Sequence, residues 1–253
     1  MDDKRSWWTD KVCLITGGSR GIGAAIALQA AHYGAAVVVN YYQSEKLAGS
    51  LVRSIMEKGG KALAIQADIS QEAAVENMFL TIEKTLGSVD MLVNNAGVSL
   101  RKLLVDTGMD EWQTLMDINL KGPFLCCRRA LGPMMEKRCG RIVNVASIWG
   151  MRAASCESVY SAAKGGLIAF TRSLAAEMGP WGITINALAP GPIDTEILLT
   201  ELDEEERAEL AGEIPLGRLG RSEEVAEACL FLLSEKASFI NGEVLVIDGG
   251  WKS

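Results

Sequence analysis

The sequence predicts one doubly wound α/β domain, with a parallel sheet of seven strands and helices on both faces. Two observations carry this prediction. Short apolar, largely β-branched segments alternate with longer helical ones, and no linker or low-complexity stretch divides the 253 residues. Strands that are apolar throughout and separated by helices are typical of a parallel sheet covered on both sides. We therefore treat residues 1–253 as one domain, with an N-terminal extension at 1–10.

The predicted strands are runs of four or so apolar residues, which we expect to be buried. They lie at 12–15, 36–39, 62–65, 91–93, 142–145, 184–187 and 244–247. Helical periodicity covers the stretches 21–33, 45–58, 71–86, 110–137, 159–178 and 222–234. The acidic segment at about 196–217 breaks the alternation. It suits both a solvated surface helix and a mobile lid over a substrate site.

Composition and charge narrow the class of protein. Hydrophobic residues make up 49% and charged residues 23%, which supports a large core, and the net charge of -7 argues against nucleic-acid binding. The sequence has neither an apolar run long enough for a membrane helix nor a signal-peptide pattern. Six scattered cysteines without metal-ligand spacing indicate reduced thiols in the cytoplasm and no metal site. The single histidine, His32, lies in an Ala-rich helical stretch, so acid–base chemistry must use other side chains.

A glycine-rich turn follows the first strand and precedes the first helix. It reads Thr16-Gly-Gly-Ser-Arg-Gly-Ile-Gly23, with the spacing GxxxGxG. Glycines let the backbone approach a pyrophosphate closely, and the helix N-terminus supplies N–H donors and a partial positive charge. The turn therefore predicts a nucleotide site, formed by Gly17, Ser19, Arg20, Gly21, Ile22 and Gly23.

A tyrosine and a lysine four residues apart open the long helix at 159–178. Tyr160 and Lys164 share one helix face, and a nearby ammonium favours the phenolate form of tyrosine, which allows proton donation near neutral pH. Ser147 ends the fifth strand, where a hydroxyl can stabilise a developing alkoxide. Together these groups can supply the proton that carbonyl reduction requires.

In order along the chain, these features resemble the short-chain dehydrogenases/reductases, whose fold is of the Rossmann type. The matching elements are TGxxxGxG, Asn94-Asn-Ala-Gly97, Asn119, Ser147, Tyr160-Ser-Ala-Ala-Lys164 and Pro190-Gly191 with Thr195. The Gly-Arg-Leu-Gly-Arg stretch at 217–221 and the closing segment at 242–250 look closest to the 3-oxoacyl-[acyl-carrier-protein] reductases. The resemblance covers about residues 10–253.

The resemblance implies roles for individual residues. Lys164 would also hold the nicotinamide ribose, and Asn119 would fix a water that relays protons to Lys164. Asp68 and Ile69 would meet the adenine, although Asp68 also suits a helix cap ahead of Gln71. The remaining cofactor contacts would be Asn95, Ala96 and Gly97 along the adenosine ribose, and Pro190, Gly191, Ile193 and Thr195 at the carboxamide end.

The second strand carries the signal for the choice of cofactor. It ends at Asn40, and Tyr41 and Tyr42 follow, so no carboxylate there would repel a 2′-phosphate. Arg20 could pair with that phosphate through its planar fork, although a solvent-facing role suits it as well. We therefore predict that NADP(H) is favoured over NAD(H).

Substrate and assembly are predicted more coarsely. The resemblance favours a 3-oxoacyl thioester on acyl carrier protein, docked on a basic patch of Lys137, Arg138, Arg141, Arg128 and Arg129, cations that would equally complement a helix dipole. The bulky, charged loop at 148–159, with Trp149, Arg152 and Glu157, instead suits a sugar, polyol, steroid or other small alcohol. A nicotinamide-sensing protein without turnover is the non-enzymatic alternative.

The apolar surfaces of the helices at 110–137 and 159–178 agree with the homotetramer that the resemblance implies.

Overall fold

A computed structural model describes residues 7–196, 198 and 202–251. Within them, seven parallel strands form one sheet in the order β3-β2-β1-β4-β5-β6-β9. The strands are β1 (Val12–Ile15), β2 (Ala36–Tyr41), β3 (Lys61–Gln66), β4 (Met91–Asn94), β5 (Gly140–Val145), β6 (Ile183–Pro190) and β9 (Val244–Ile247). The strand order reverses between β1 and β4, and ligands of doubly wound folds bind at such a point, beyond the carboxyl ends of the strands.

Helices cover both faces of the sheet, as predicted. They are α1 (Gly21–Tyr33), α2 (Glu45–Glu57), α3 (Glu72–Thr85), α4 (Met109–Met116), α5 (Gly122–Lys137), α6 (Ser158–Met178), α7 (Glu204–Glu213) and α8 (Ser222–Leu233). One apolar core joins α1, α2 and α8 to the sheet, and a second joins α3, α5 and α6 to its other face. Because the central strands are buried from both sides, they carry apolar residues without alternation.

The prediction that all seven strands are buried is wrong at the two edges of the sheet. The strand β3 pairs with only one neighbour, β2, and its residues are half-buried or exposed. The other edge, β9, leaves Val246 40% exposed. An edge strand lacks a neighbour on one side, which the apolar character of a short sequence segment does not reveal.

The predicted long helix at 110–137 contains a turn of π-helix, Asp117–Lys121, between α4 and α5. A π-turn inserts one residue into the helical ladder and releases a main-chain carbonyl from its usual partner. The side-chain amide of Asn119 donates to the freed oxygen of Leu115 over 3.0 Å. The interruption thereby turns Asn119 inward, where it is fully buried.

The acidic segment at 196–217 forms a helix over much of its length. Asp203 and Glu206 cap α7 reciprocally, each side chain accepting from the other's main-chain N–H at 2.9 Å. A two-residue parallel ribbon flanks it, β7 (Ile193–Asp194) paired with β8 (Gly220–Arg221). The sequence did not predict this ribbon, since two residues are too few for a periodic signal.

The predicted N-terminal extension is partly integrated into the fold. Residues 1–6 lie outside the described residues. Trp8 is 4% exposed and stacks on Tyr33, with 5.6 Å between ring centroids. The indole N–H of Trp7 donates to the oxygen of Leu233 over 3.2 Å. These contacts tie the start of the described chain to the ends of α1 and α8.

Candidate active site

A cavity of about 1060 Å³ lies beyond the carboxyl ends of the strands. Its walls come from the segments that follow β1 to β6, and the described part of the lid segment borders it. All the predicted cofactor contacts line it except Gly23, and of the predicted catalytic residues Ser147, Tyr160 and Lys164 line it. The chain thus brings together, in one concave site, predicted residues as far apart in the sequence as Gly17 and Thr195.

The glycine turn is built to approach a phosphate closely. Gly17 has φ +59°, a conformation that favours glycine, and a Cβ there would lie 2.8 Å from Cα of Ala96. Helix α1, all of whose residues are described, begins without a side-chain cap and without an acidic residue in its first turn. Its first N–H groups can therefore bind an anion, which fits the pyrophosphate of a dinucleotide.

Gly23 lies one layer behind the cavity. A Cβ on Gly23 would come within 2.5 Å of Nδ2 of Asn95 and 2.6 Å of the oxygen of Gly17. The same Asn95 nitrogen donates to the oxygens of Thr16 and Gly17, both over 3.0 Å. The absence of a Cβ at Gly23 therefore lets α1 sit against the turn and the end of β4, and its direct contact with a cofactor stays a prediction.

Five of the predicted cofactor contacts line the cavity at the end of β2, or just beyond β2 and β3: Asn40, Tyr41, Tyr42, Asp68 and Ile69. Asn40 is 2% exposed; its amide donates to the oxygen of Ala67 over 3.0 Å and its Oδ1 accepts from the N–H of Gly17 over 3.3 Å. This residue braces the glycine turn against the strand ends. Asp68 lines the cavity, and its Oδ1 accepts from the N–H of Ser70 over 2.9 Å, in the turn before α3. The alternative of a helix cap is wrong, because α3 has Gln71 at its N-cap and no side-chain cap.

Ser147 lies at the floor of the cavity, just beyond β5. Its Oγ accepts a hydrogen bond from the main-chain N–H of Trp149 over 3.2 Å. A hydroxyl has one proton and two lone pairs. Since this contact uses a lone pair, the Ser147 proton can be donated to a substrate oxygen.

Lys164 is buried beside Tyr160 on the first turns of α6. Its Nζ lies 5.7 Å from the centroid of the Tyr160 ring and donates to the oxygen of Val145 over 2.9 Å. Burial lowers the pKa of Lys164 to about 8. An ammonium has three donors, so two remain for ribose hydroxyls or a water.

Asn119 does not line the cavity but sits directly behind it. Its amide donates to the oxygens of Val98 and Leu115, and its Oδ1 accepts from the N–H of Val98 over 3.3 Å. A Cβ on Gly97 would lie 2.7 Å from that Oδ1 and 3.4 Å from Nζ of Lys164. Asn119 and Lys164 therefore both lie close to Gly97.

Pro190, Gly191, Ile193 and Thr195, which we predicted at the carboxamide end of the cofactor, all line the cavity. Gly191 packs against the C-terminal segment so closely that a Cβ there would lie 2.6 Å from Cβ of Asp248. This contact fixes the path of the chain from β6 into the ribbon β7–β8.

The cavity lining also contains residues that sequence reasoning missed. Trp251 lines the cavity, meets Trp149 edge to face with 5.3 Å between centroids, and donates from Nε1 to Oε2 of Glu213 over 3.0 Å. Gly249 and Gly250, with φ +65° and +84°, turn the chain back toward the cavity. The described carboxylates of the lid segment that line the cavity are Glu196, Glu206, Glu209 and Glu213.

The predicted basic patch for a carrier protein is smaller than expected. Arg141 is 6% exposed, and Arg128 and Arg129 form ion pairs with carboxylates of α3. Lys137 pairs with the buried carboxylate of Asp90 over 2.7 Å. Arg138 is exposed and lies just before the amino end of β5, whereas the cavity lies beyond the carboxyl ends of the strands.

The described residues contain no group of three His, Cys, Asp or Glu side chains arranged to hold a metal ion. Nor does any helix in this part of the chain combine the length and apolarity needed to cross a bilayer.

Comparison with known proteins places the chain among oxidoreductases. A family model described as enoyl-(acyl carrier protein) reductase matches residues 17–252. The chain is 40% identical over 244 residues to a 3-oxoacyl-[acyl-carrier-protein] reductase of Synechocystis sp., covering 96% of this chain and 97% of that protein. It is 39% identical over 240 residues to the corresponding reductase of Staphylococcus aureus, covering 95% and 97%.

A solved structure agrees with these sequence matches. The crystal structure of a putative gluconate dehydrogenase from Agrobacterium tumefaciens superposes with a TM-score of 0.92, at 31% identity, over 96% of both chains. Taken with the glycine turn, the Ser147, Tyr160 and Lys164 cluster and the strand order, these matches show that the chain belongs to the short-chain dehydrogenase/reductase family of oxidoreductases.

Proposed function

We propose that the protein is an NADPH-dependent carbonyl reductase that acts on 3-oxoacyl thioesters. The observation that carries the proposal is the convergence of Ser147, Tyr160 and Lys164 at the floor of one cavity whose other end is a phosphate-binding turn. A nicotinamide cofactor, when bound, supplies the hydride. The residues of the chain orient the carbonyl and provide the proton.

In the proposed reaction Ser147 donates a hydrogen bond to the carbonyl oxygen, which its contact with Trp149 leaves it free to do. Tyr160 gives its phenolic proton to that oxygen as the carbon becomes tetrahedral. The ammonium of Lys164 stabilises the phenolate that remains and holds the nicotinamide ribose. Lys164 then returns a proton to the Tyr160 phenolate and regains one from solvent through a water that Asn119, behind Gly97, fixes.

The preference for NADP(H) rests on charge. Among the described residues at the end of β2, Asn40, Tyr41 and Tyr42 carry no carboxylate, and Arg20 is the cation in the glycine turn. A guanidinium binds phosphate bidentately, whereas the NAD-specific pattern places a carboxylate on the ribose hydroxyls.

The thioester assignment is supported by the names of the bacterial relatives, which are 3-oxoacyl-[acyl-carrier-protein] reductases.

The carrier protein would dock near Arg138. Because Arg138 lies at the opposite edge of the sheet from the cavity of its own chain, a carrier bound there would serve the cavity of another subunit. We therefore propose a homotetramer, with the apolar surfaces of α5 and α6 and the exposed edge β9 at its interfaces.

We also place the protein in the cytoplasm, because the free cysteines among the described residues fit a reducing compartment.

A polyol or sugar dehydrogenase is the second candidate. The observation that favours it is the polar wall of the substrate end, where Glu157 and the lid carboxylates line the cavity next to Trp149 and Trp251. Carboxylates accept hydrogen bonds from hydroxyl groups, and aromatic faces pack against apolar ring surfaces. The similar structure from Agrobacterium tumefaciens is named a putative gluconate dehydrogenase.

A substrate panel with NADPH and NADH separates these candidates. We expect the highest kcat/KM for a 3-oxoacyl thioester with NADPH. A higher value for a sugar or polyol would support the second candidate. If every carbonyl and alcohol failed to turn over while a nicotinamide nucleotide still bound, the protein would be a nucleotide sensor.

A further inference from the structure

An ion pair spans the cavity between the glycine turn and the start of the lid segment. Nη1 of Arg20 lies 3.0 Å from Oε2 of Glu196, and both side chains line the cavity. Arg20 is the residue immediately before α1, and Glu196 follows Thr195 at the nicotinamide end. Nearby, a Cβ on Gly21 would lie 3.6 Å from Cγ2 of Thr195, so the two segments already touch at the base of the pair.

The pair is weak enough to be exchanged for another partner. The Arg20 and Glu196 side chains are 52% and 55% exposed, and solvent screens ion pairs of that exposure. A phosphate monoester offers three oxygens and about two negative charges, and it matches the guanidinium fork bidentately. Arg20 would therefore leave Glu196 for a 2′-phosphate.

Arg20 cannot bind the Glu196 carboxylate and a 2′-phosphate at once without electrostatic repulsion between these two anions. If it kept Glu196 while binding the phosphate, a carboxylate and a phosphate would lie side by side, and like charges at that distance repel. NADH carries no 2′-phosphate, so its binding leaves the ion pair in place. The Glu196 carboxylate would therefore compete with the 2′-phosphate of NADPH for Arg20 but would not compete with NADH.

We propose that Glu196 is a specificity-determining residue that competes with the 2′-phosphate of NADPH for Arg20. This rests on the proposed function, in which Arg20 binds that phosphate. Glu196 lowers the affinity for NADPH and leaves the affinity for NADH unchanged. NADPH binding in turn breaks the ion pair between Arg20 and Glu196.

A double-mutant cycle tests the competition through binding alone. The dissociation constants of NADPH and NADH are measured by titration calorimetry at low ionic strength for the wild type, Glu196→Gln, Arg20→Ala and the double variant. We expect Glu196→Gln to tighten NADPH binding about three- to fivefold, the size of an exposed ion pair, with no change for NADH. In the Arg20→Ala background Glu196→Gln should have no further effect. The matched control is Glu205→Gln, which removes the same charge from an exposed position on α7 outside the cavity lining.

Two results would overturn the proposal. Equal tightening by Glu196→Gln with and without Arg20 would mean that the carboxylate acts as a simple like charge. Unchanged NADPH affinity in Glu196→Gln, with Arg20→Ala still weakening NADPH, would mean that no competition exists. If Arg20→Ala itself left NADPH binding unchanged, the cofactor assignment would fail instead, so the two failures are distinguishable.

Discussion

The ammonium nitrogen of Lys164 donates a hydrogen bond to the main-chain oxygen of Val145 over 2.9 Å. Val145 is the last residue of β5, two positions before Ser147, and Lys164 is one turn beyond Tyr160 on α6. One contact therefore fixes the helix that carries the tyrosine and the lysine against the strand that carries the serine. The burial of Lys164, however, removes a charged ammonium group from water.

Burial of Lys164 predicts a pH-dependent cost in stability. Its pKa is about 8 in the folded protein and 10.5 in the unfolded chain, so the unfolded chain binds more protons between these pH values. The cost is fully present below pH 8 and is relieved as pH rises from 8 to 10.5. A difference of that size corresponds to about 3 kcal/mol.

Lys164→Met should therefore stabilise the protein at pH 7, by about 2 kcal/mol once the lost hydrogen bond to Val145 is allowed for, while turnover is lost. Urea unfolding at fixed protein concentration, without cofactor, measures the difference. It should shrink steadily between pH 8 and 10.5. A difference that stays constant over this range would show that Lys164 carries no desolvation cost.

Gly97→Ala tests the convergence of Asn119 and Lys164. The added methyl would lie 2.7 Å from Oδ1 of Asn119, so the Asn119 side chain must shift, whereas the 3.4 Å to Nζ of Lys164 is an ordinary contact. Displacement of a catalytic group on this scale costs about 100-fold in kcat. Steady-state kinetics and thermal unfolding are compared with Gly49→Ala in α2, where no described atom lies within 4 Å of the new Cβ and which should be harmless. Wild-type kcat in Gly97→Ala would contradict the arrangement.

Trp251 should affect the substrate and not the cofactor. Trp251→Ala removes both the ring contact with Trp149 and the hydrogen bond to Glu213, and we expect KM to rise about fivefold or more with an unchanged dissociation constant for NADPH. Trp251→Phe keeps a ring but loses the N–H, so it separates the two contacts. If Trp251→Ala weakened NADPH binding and left KM unchanged, Trp251 would belong to the cofactor end.

Arg138→Glu tests the docking of a carrier protein. Arg138 stacks over Trp181 and is accessible, whereas Lys137 neutralises the buried Asp90 and would destabilise the fold if reversed in charge. We expect kcat/KM for acetoacetyl thioester on the carrier protein to fall about tenfold, and that for the pantetheine thioester to stay unchanged. Arg53→Glu, an exposed charge reversal on α2, is the control. Equal kcat/KM for both thioesters in the wild type would remove the carrier assignment.

The sequence predicted the strands, their parallel sheet and the cavity-lining residues of the glycine turn and the strand ends, because those features depend on local apolar patterns and short motifs. The π-turn at Asn119 was not predicted, since one inserted residue barely disturbs helical periodicity over 28 positions. The edge positions of β3 and β9 and the burial of Arg141 depend on the order of strands in the sheet. Trp251 could not be linked to Trp149 because their contact joins segments about 100 residues apart, which no local pattern encodes.

Single-turnover oxidation of bound NADPH by Tyr160→Phe tests the central claim most directly. The variant keeps the ring and removes the proton donor, so the cavity and the cofactor contacts stay intact while the alkoxide is left without a proton source. The account predicts that the rate of NADPH oxidation falls by at least about 100-fold, with the NADPH dissociation constant unchanged within about threefold. A near-wild-type rate in Tyr160→Phe would contradict the mechanism.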